Sequence, residues 1–422
     1  MSFPNQKDQY VFDEAYYVPA SKDLLNFVAS NLEHPFFGKI WGAIGIYLFG
    51  NDFFGWRIFY VIIGVLSVWA LYQLALVFFS KEKALLAASL FGFETLFFIH
   101  TSLLLLEGPA ILFALLGFLA YFKKHYYLSA LAFGLSILSK EWGIYFVAAL
   151  FLYHVWATKY IPFSQLFSRQ RLRTLLVFVV IVLAVVALPL WVYDQAYKPY
   201  TNTVTTVGTV LIVNQTSGLT ITTTTTSQSH EYVVEPLQNF YYYWVYHSGL
   251  TISQQDLHND PWDHLAWNWI LPFNIQPSQY YVTTVTITTT SSNGTVLSKT
   301  FLHPIDWVGI GNLVVWYSIW IIVPVLIIKA VRRTATQLDA LIAALIAGTY
   351  IPNLILSGVL HRVVYAFYFI NTDPALALGI PMVITFISPD SLKLQRSLMA
   401  VWLAAAIIFF VLFFPVHPLD FR

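Results

Sequence analysis

Long apolar runs separated by short polar loops dominate this chain. A helix needs roughly 20 mostly apolar residues to cross the hydrocarbon of a bilayer. Runs of that kind predict spans near 56–79, 84–100, 102–122, 126–138, 143–157, 174–192, 306–329, 337–358, 363–386 and 397–415. The fourth and fifth are short, which suits tilted or incompletely spanning hairpin arms. The pattern breaks twice, over residues 1–55 and over a long insert at 193–303. The insert holds two threonine-rich runs, Thr216–Thr226 and Thr283–Thr290, whose β-branched side chains suit short strands. Between them lies an aromatic stretch, Tyr241-Tyr242-Tyr243-Trp244 and then Asp260–Trp269, of the sort that sits among lipid headgroups. The predicted architecture is an all-α polytopic membrane protein of about ten transmembrane helices. Its parts are an outer segment 1–55 with interfacial helices, an N-terminal bundle 56–192, a large loop 193–303 with some β character, and a C-terminal bundle 304–422.

Composition agrees with the pattern. Of 422 residues, 58% are hydrophobic and only 10% charged, against about a quarter charged in ordinary soluble domains. A net charge of +1 offers no basic field for a nucleic acid. With no cysteine, disulfides, thiolate metal sites and cysteine nucleophiles are excluded. Basic residues cluster in alternate short loops: Lys81 and Lys83; Lys123 and Lys124; Lys159, Arg169, Arg171 and Arg173; Lys329, Arg332 and Arg333; Lys393 and Arg396. By the positive-inside rule those loops are cytoplasmic, and 1–55, 139–142, about 193–303, 359–362 and 416–422 lie outside. Both sequons, Asn214-Gln215-Thr216 and Asn293-Gly294-Thr295, fall in the outer loop. Met1–Tyr10 offers neither a signal peptide nor a span to carry the start across, so a further span ahead of this reading frame is expected.

Ionisable groups concentrate on that outer side. Asp13 and Glu14 are neighbours, so in regular structure they point different ways. Glu33-His34-Pro35 follows, then Lys39 at the start of a short amphipathic helix, Ile40–Phe49, suited to the interface. Arg57 opens the first span, and Arg362 stands between two later ones. Either arginine could snorkel to water, yet a planar guanidinium also suits a lipid-linked phosphate. Glu107 is isolated at the outer end of an apolar run, where it is a candidate site residue or a helix-start carboxylate favouring the dipole. Lys140-Glu141 reads as a turn with a local ion pair. His34, His247, His258, His264 and His361 show no regular ligand spacing, so no structural zinc and no cofactor is expected, while the sequence leaves dependence on a divalent metal open.

Several of these segments resemble protein O-mannosyltransferases. Val11-Phe12-Asp13-Glu14, His34-Pro35-Phe36-Phe37-Gly38-Lys39 and Gly55-Trp56-Arg57 are similar to that family's Phe-Asp-Glu, His-Pro-Pro-Leu-Gly-Lys and Gly-Trp-Arg series. Ser139-Lys140-Glu141-Trp142-Gly143 resembles its Ser-Lys-Trp-x-Gly turn, with Glu141 set between lysine and tryptophan. Tyr246–Leu250, Asp260–Trp269, Gly311–Trp316 and Arg362–Pro374 continue the series in order. Phe36 replaces a proline, Asp260 stands where a histidine is usual, and the β-trefoil insert of eukaryotic members is missing from 193–303. The resemblance implies the GT-C glycosyltransferase fold, an active site on the extracytoplasmic face of the cell membrane, and a polyprenyl- or dolichyl-phosphate-linked sugar donor. The implied acceptor is a Ser or Thr hydroxyl of an exported protein, and the sugar is mannose.

On that reading the lipid phosphate is already a good leaving group, and the hydroxyl acceptor benefits from a base. The expected roles are Asp13 as base, Glu14 positioning the acceptor, and Lys39, Arg57 and Arg362 around the phosphate. Attack opposite the phosphate inverts the anomeric centre. Glu33, His34, Glu107, His247, Asp260 and His264 are candidate acceptor or sugar contacts. Two alternatives stand beside it: a GT-C transferase acting on a lipid or glycan, which Glu33 beside His34-Pro35 keeps open, and a multi-span transporter. Transporter sites lie near the midplane, whereas these groups gather at the outer face.

Overall fold

The computed structural model describes residues 10–157, 169–197, 200–214, 218–232, 243, 245–251, 265–271, 278–280, 286–290, 296–300 and 307–413. The N-terminal half runs α1 (Glu14–Leu25), α2 (Phe37–Phe49), α3 (Phe53–Ala75), α4 (Lys81–Gly92), α5 (Thr95–Ser102), α6 (Glu107–Phe122), α7 (Tyr126–Ser139), α8 (Gly143–Ala157) and α9 (Arg169–Ala196). After the insert come α10 (Leu313–Trp316), α11 (Ile319–Val331), α12 (Gln337–Gly358), α13 (Asp373–Ile387) and α14 (Leu392–Phe413). The described helices are overwhelmingly apolar, and they build the structure.

Among the described residues, Phe53–Ala75, Arg173–Ala196, Leu313–Val331, Gln337–Gly358 and Leu392–Phe413 are long and apolar enough to cross a membrane. The expected span 84–100 is instead a broken one, α4 and α5, bent by 65°. Glu94 makes the break stable. It caps α5 by accepting from the Phe97 backbone N–H and takes the Asn312 N–H at 2.8 Å. Asn312 in turn donates to the carbonyls of Phe93 and Ala406 at 2.9 and 3.0 Å. Interrupted backbone inside a membrane persists only where protein groups replace the missing hydrogen bonds, as these do. Asp373, also fully buried, opens α13 beside this knot.

Two other spans begin later than the hydropathy suggests. Residues 307–309 form a strand, and Ala366–Asn371 is a 3-10 turn that precedes α13. Helices α6, α7, α8 and α13 are shorter apolar helices of 14 to 16 residues. Helix α6 packs on α7 and α3, α12 on α8, and α13 on α4. A Cβ on Gly45 would collide with the Gly55 carbonyl oxygen, so α2 and α3 meet backbone to backbone.

Among the described residues six strands form three antiparallel pairs in and just after the insert. β1 (Tyr200–Asn214) and β2 (Gly218–Tyr232) form an antiparallel hairpin, β3 (Ser278–Tyr280) pairs with β6 (Trp307–Gly309), and β4 (Thr286–Thr290) with β5 (Val296–Thr300). Most of the two threonine runs lie in β2 and β4. The sequon Asn293-Gly294-Thr295 and residues 260–264 lie outside the described residues.

The ends of the bundle differ in character. At one end Arg396 meets Glu82 at 2.8 Å, Lys83 donates to Thr385, and Lys329 pairs with Asp339 at 2.6 Å. These are the basic loops expected on the cytoplasmic side. Helices α3 and α12, of 23 and 22 residues, lead from that end to the other, a rise of roughly 33 Å. Asp13, His34, Arg57, Glu141, His247 and Arg362 gather there.

Candidate active site

Chain geometry separates Asp13 from Glu14. Phe12 adopts a left-handed backbone (φ 55°) and packs edge-on against Phe367, which turns the chain sharply before α1. Glu14 then points into the protein with no exposed surface. Its Oε1 accepts from Arg57 Nε at 2.8 Å and from the Leu104 N–H at 3.0 Å. Its Oε2 accepts from Arg57 Nη2 at 2.6 Å and from the Val11 N–H at 2.9 Å. Four donors occupy this carboxylate. Asp13 keeps part of its surface, and Oδ2 accepts from the Tyr17 hydroxyl at 3.3 Å. Burial pushes the Asp13 carboxyl above its ordinary value, Lys140 opposes that shift, and Glu107 adds to it.

A second group surrounds Lys140 and Glu141, in the turn between α7 and α8. Lys140 Nζ bonds Glu107 Oε1 at 2.5 Å and lies 3.9 Å from the Trp142 ring centre. His100 Nδ1 stands 3.2 Å from the other Glu107 oxygen. Glu141 faces away from its neighbour, with Oε2 2.9 Å from His34 Nδ1 and Oε1 3.3 Å from His247 Nε2. Burial pushes the Glu141 carboxyl up, but His34, His247 and Lys140 outweigh it and hold the group at about 2. Burial also drives the His247 imidazole down to about 4, so it is neutral at neutral pH.

Two cations fix the loops around these groups. Lys39, 1% exposed, donates to Asn31 O, Asn31 Oδ1 and His34 O, at 2.5, 3.0 and 3.0 Å. It thereby fastens the loop that carries His34, while Glu33 accepts from Asn31 Nδ2. Burial pushes the Lys39 ammonium down to about 7. Arg362 donates from Nε to His247 O and from Nη2 to His247 Nδ1, both at 2.9 Å. An isolated bridge between Thr251 and Arg362 ties the insert to the loop after α12.

The expected site is therefore redistributed. Arg57 is neither snorkelling nor placed for a phosphate: it is 2% exposed and spends two donors on Glu14. Glu14, the expected acceptor contact, is the other half of that ion pair. Lys39 serves three protein oxygens. The expected Lys140–Glu141 pair is split, because adjacent side chains diverge and each finds a longer-range partner. His34, His247, Glu141 and Arg362 form one contiguous set. Asp260 and His264 lie outside the described residues. Sequence reasoning missed Tyr17, His100 and Glu94. His100 and Glu94 carried a signal, since an ionisable residue inside an apolar run is rarely idle.

Residues 33–193 match the family model described as Dolichyl-phosphate-mannose-protein mannosyltransferase. The fold matches the S. cerevisiae protein O-mannosyltransferase Pmt1-Pmt2 complex bound to the sugar donor, with a TM-score of 0.68 at 12% identity. That match covers 97% of this chain and 86% of the yeast one. The chain is a membrane glycosyltransferase with the GT-C fold, and its residues 33–193 are similar to a protein O-mannosyltransferase domain. ArnT from Cupriavidus metallidurans, bound to undecaprenyl phosphate, gives a TM-score of 0.46 at 15% identity, over 93% of this glycosyltransferase and 59% of ArnT. The Archaeoglobus fulgidus oligosaccharyltransferase gives 0.47 at 12%, over 97% and 51%. No curated protein sequence matches this one. The matched segment of the glycosyltransferase contains His34, Lys39, Arg57, Glu107, Lys140 and Glu141, and ends one residue short of Asp194.

Proposed function

We propose that this glycosyltransferase moves a sugar, mannose on the family match, from a polyprenyl-phosphate donor to a Ser or Thr hydroxyl of an exported protein. The single observation that carries the reading is the division of labour between Asp13 and Glu14. One carboxylate is saturated by four donors and anchors the loop, and the other stands beside the Lys140–Glu107 pair with its pKa raised. A raised pKa makes Asp13 a stronger base for a hydroxyl proton. In the transfer, the acceptor oxygen bonds to the anomeric carbon as its proton passes to Asp13. The bond from that carbon to the phosphate oxygen breaks on the opposite face, and the lipid phosphate departs with the electron pair. The configuration inverts.

Charge compensation for the departing phosphate comes from Lys140, whose charge acts on both Asp13 and Glu141, and from Arg362, bonded to His247 beside Glu141. Arg57 and Lys39 act through the loops they hold. The active face is extracytoplasmic, supported by the basic loops at the other end of the bundle. The test uses purified protein, a labelled polyprenyl-phosphate sugar and a threonine-containing peptide. Label in the peptide supports the reading. Label appearing only in a lipid or glycan product instead would overturn the assigned acceptor.

A further inference from the structure

Three ligand-type atoms meet beside Asp13, and the transfer chemistry does not use them. His34 Nδ1, a Glu141 carboxylate oxygen and His247 Nε2 all lie within 4.8 Å of one another. They come from three distant places: the loop before α2, the turn between α7 and α8, and the short helical segment 245–249. That explains why spacing along the sequence gave no hint of them. Two imidazoles and a carboxylate are the donor set of zinc and its first-row neighbours, whereas magnesium and calcium prefer oxygen alone. A tetrahedral ion with bonds of about 2.0–2.1 Å spaces its ligand atoms roughly 3.4 Å apart. The histidines touch different oxygens of Glu141, Oε2 at 2.9 Å and Oε1 at 3.3 Å, and with one ligand atom from each residue the three lie within 4.8 Å of one another, so a small inward movement reaches that spacing.

Two further observations point to a cation. Glu141 Oε1 is buried and accepts no hydrogen bond, because the nearby His247 Nε2, 3.3 Å away, is bonded instead to the Glu33 carbonyl at 3.2 Å. The surrounding charges also favour one, since Asp13, Glu33, Glu107 and Glu141 outnumber Lys39, Lys140 and Arg362. Glu141 is moreover the residue set into the Ser-Lys-Trp-x-Gly pattern of the family, so this carboxylate belongs to the present chain.

We propose that His34, Glu141 and His247 bind a divalent transition-metal cation of the zinc class at the rim of the active site. Arg362 must respond to it. A guanidinium only donates, so in the cation-free form His247 Nδ1 accepts from Arg362 Nη2 and the ring proton sits on Nε2. For Nε2 to offer its lone pair to the ion, the proton moves to Nδ1, and Nη2 has to swing away. The bonds from Arg362 Nε to His247 O and from Nη1 to Val363 O keep the side chain in place. The released Nη2 is then available to an anion, which links the cation to the phosphate side of the site. Cation binding itself stands whether or not the chain transfers sugars.

The test takes the full chain in detergent with any affinity tag removed, strips it with a chelator and titrates it with Zn2+. Calorimetry and elemental analysis should find one ion per chain. Glu141→Gln and His247→Gln should weaken binding by more than about 100-fold, beyond the range of outer-shell changes. His361→Asn, at an exposed histidine of the same face, should leave it unchanged. Co2+ in the wild-type protein should give the intense visible absorption of a tetrahedral nitrogen-ligated site, a readout that needs no variant to fold. Absence of that spectrum, or equal Zn2+ binding by wild type and both folded variants, would overturn the proposal.

Discussion

Glu14→Gln is the substitution that most sharply separates a structural carboxylate from one that faces the acceptor. The amide keeps one acceptor oxygen but turns a donor toward Arg57 Nη2 and the Val11 N–H, both of which are donors. Arg57, 2% exposed, loses the carboxylate charge that faces two of its donors. Removing one partner of a buried ion pair costs about 3–5 kcal/mol. Native proteins hold only about 5–15 kcal/mol in all, so the loss should be visible as a fall in melting temperature on the order of 10 °C. Arg57→Lys keeps the charge but gives up the two-pronged contact, and should cost less, about 1.5–3 kcal/mol. The double variant Glu14→Gln/Arg57→Met removes both charges and should recover much of the loss, because the penalty comes from the unpaired partner. Thermal unfolding of the detergent-solubilised protein, with intact monodisperse protein followed by size exclusion, measures all three. A Glu14→Gln protein that melts like wild type but shows a raised acceptor KM would refute the reasoning and return Glu14 to the acceptor.

Other expectations concern the rest of the site. With Asp13 as the proposed base, the rate should fall on the acid side with an apparent pKa above the ordinary aspartate value, since a base acts only when deprotonated and burial raises this pKa. Glu107→Gln removes a charge that raises the Asp13 pKa, so in folded protein that acid limb should move to lower pH; a shift to higher pH in the rate profile would contradict the linkage. Orientation can be read with an impermeant maleimide on right-side-out vesicles. Asn26→Cys, exposed near the site, should label, and Lys393→Cys at the opposite end should not. The reverse pattern would invert the topology. Arg362→Ala should weaken donor handling and loosen the insert, seen as faster proteolysis after residue 249, because Arg362 holds His247 through two hydrogen bonds.

Much of the bundle was legible because burial in lipid imposes long apolar runs, and α3, α9, α12 and α14 show that signal plainly. The breaks were not. Glu94 looks like a stray charge until Asn312, more than two hundred residues away, supplies the N–H that makes it a helix cap. The site was half legible. Neighbouring carboxylates and the collinear motifs pointed to the right segments, but partners could not be assigned, since ion pairing is decided in three dimensions. Arg57 reads like a surface arginine at the start of a span and is in fact sealed against Glu14, forty-three residues away. Lys140 and Glu141 read as partners because they are adjacent, and adjacency is what keeps them apart.

The most direct test of the account is single-turnover sugar transfer by Asp13→Asn, with the anomeric configuration of the wild-type product read by NMR. The substitution keeps the size of the side chain and removes the base, so kcat should drop by about 10²-fold or more while donor binding and melting temperature stay near wild type. The wild-type product should carry the configuration opposite to that of the donor. Near-normal turnover in Asp13→Asn, or retention of configuration, would contradict the assignment of Asp13 as the base of an inverting transfer.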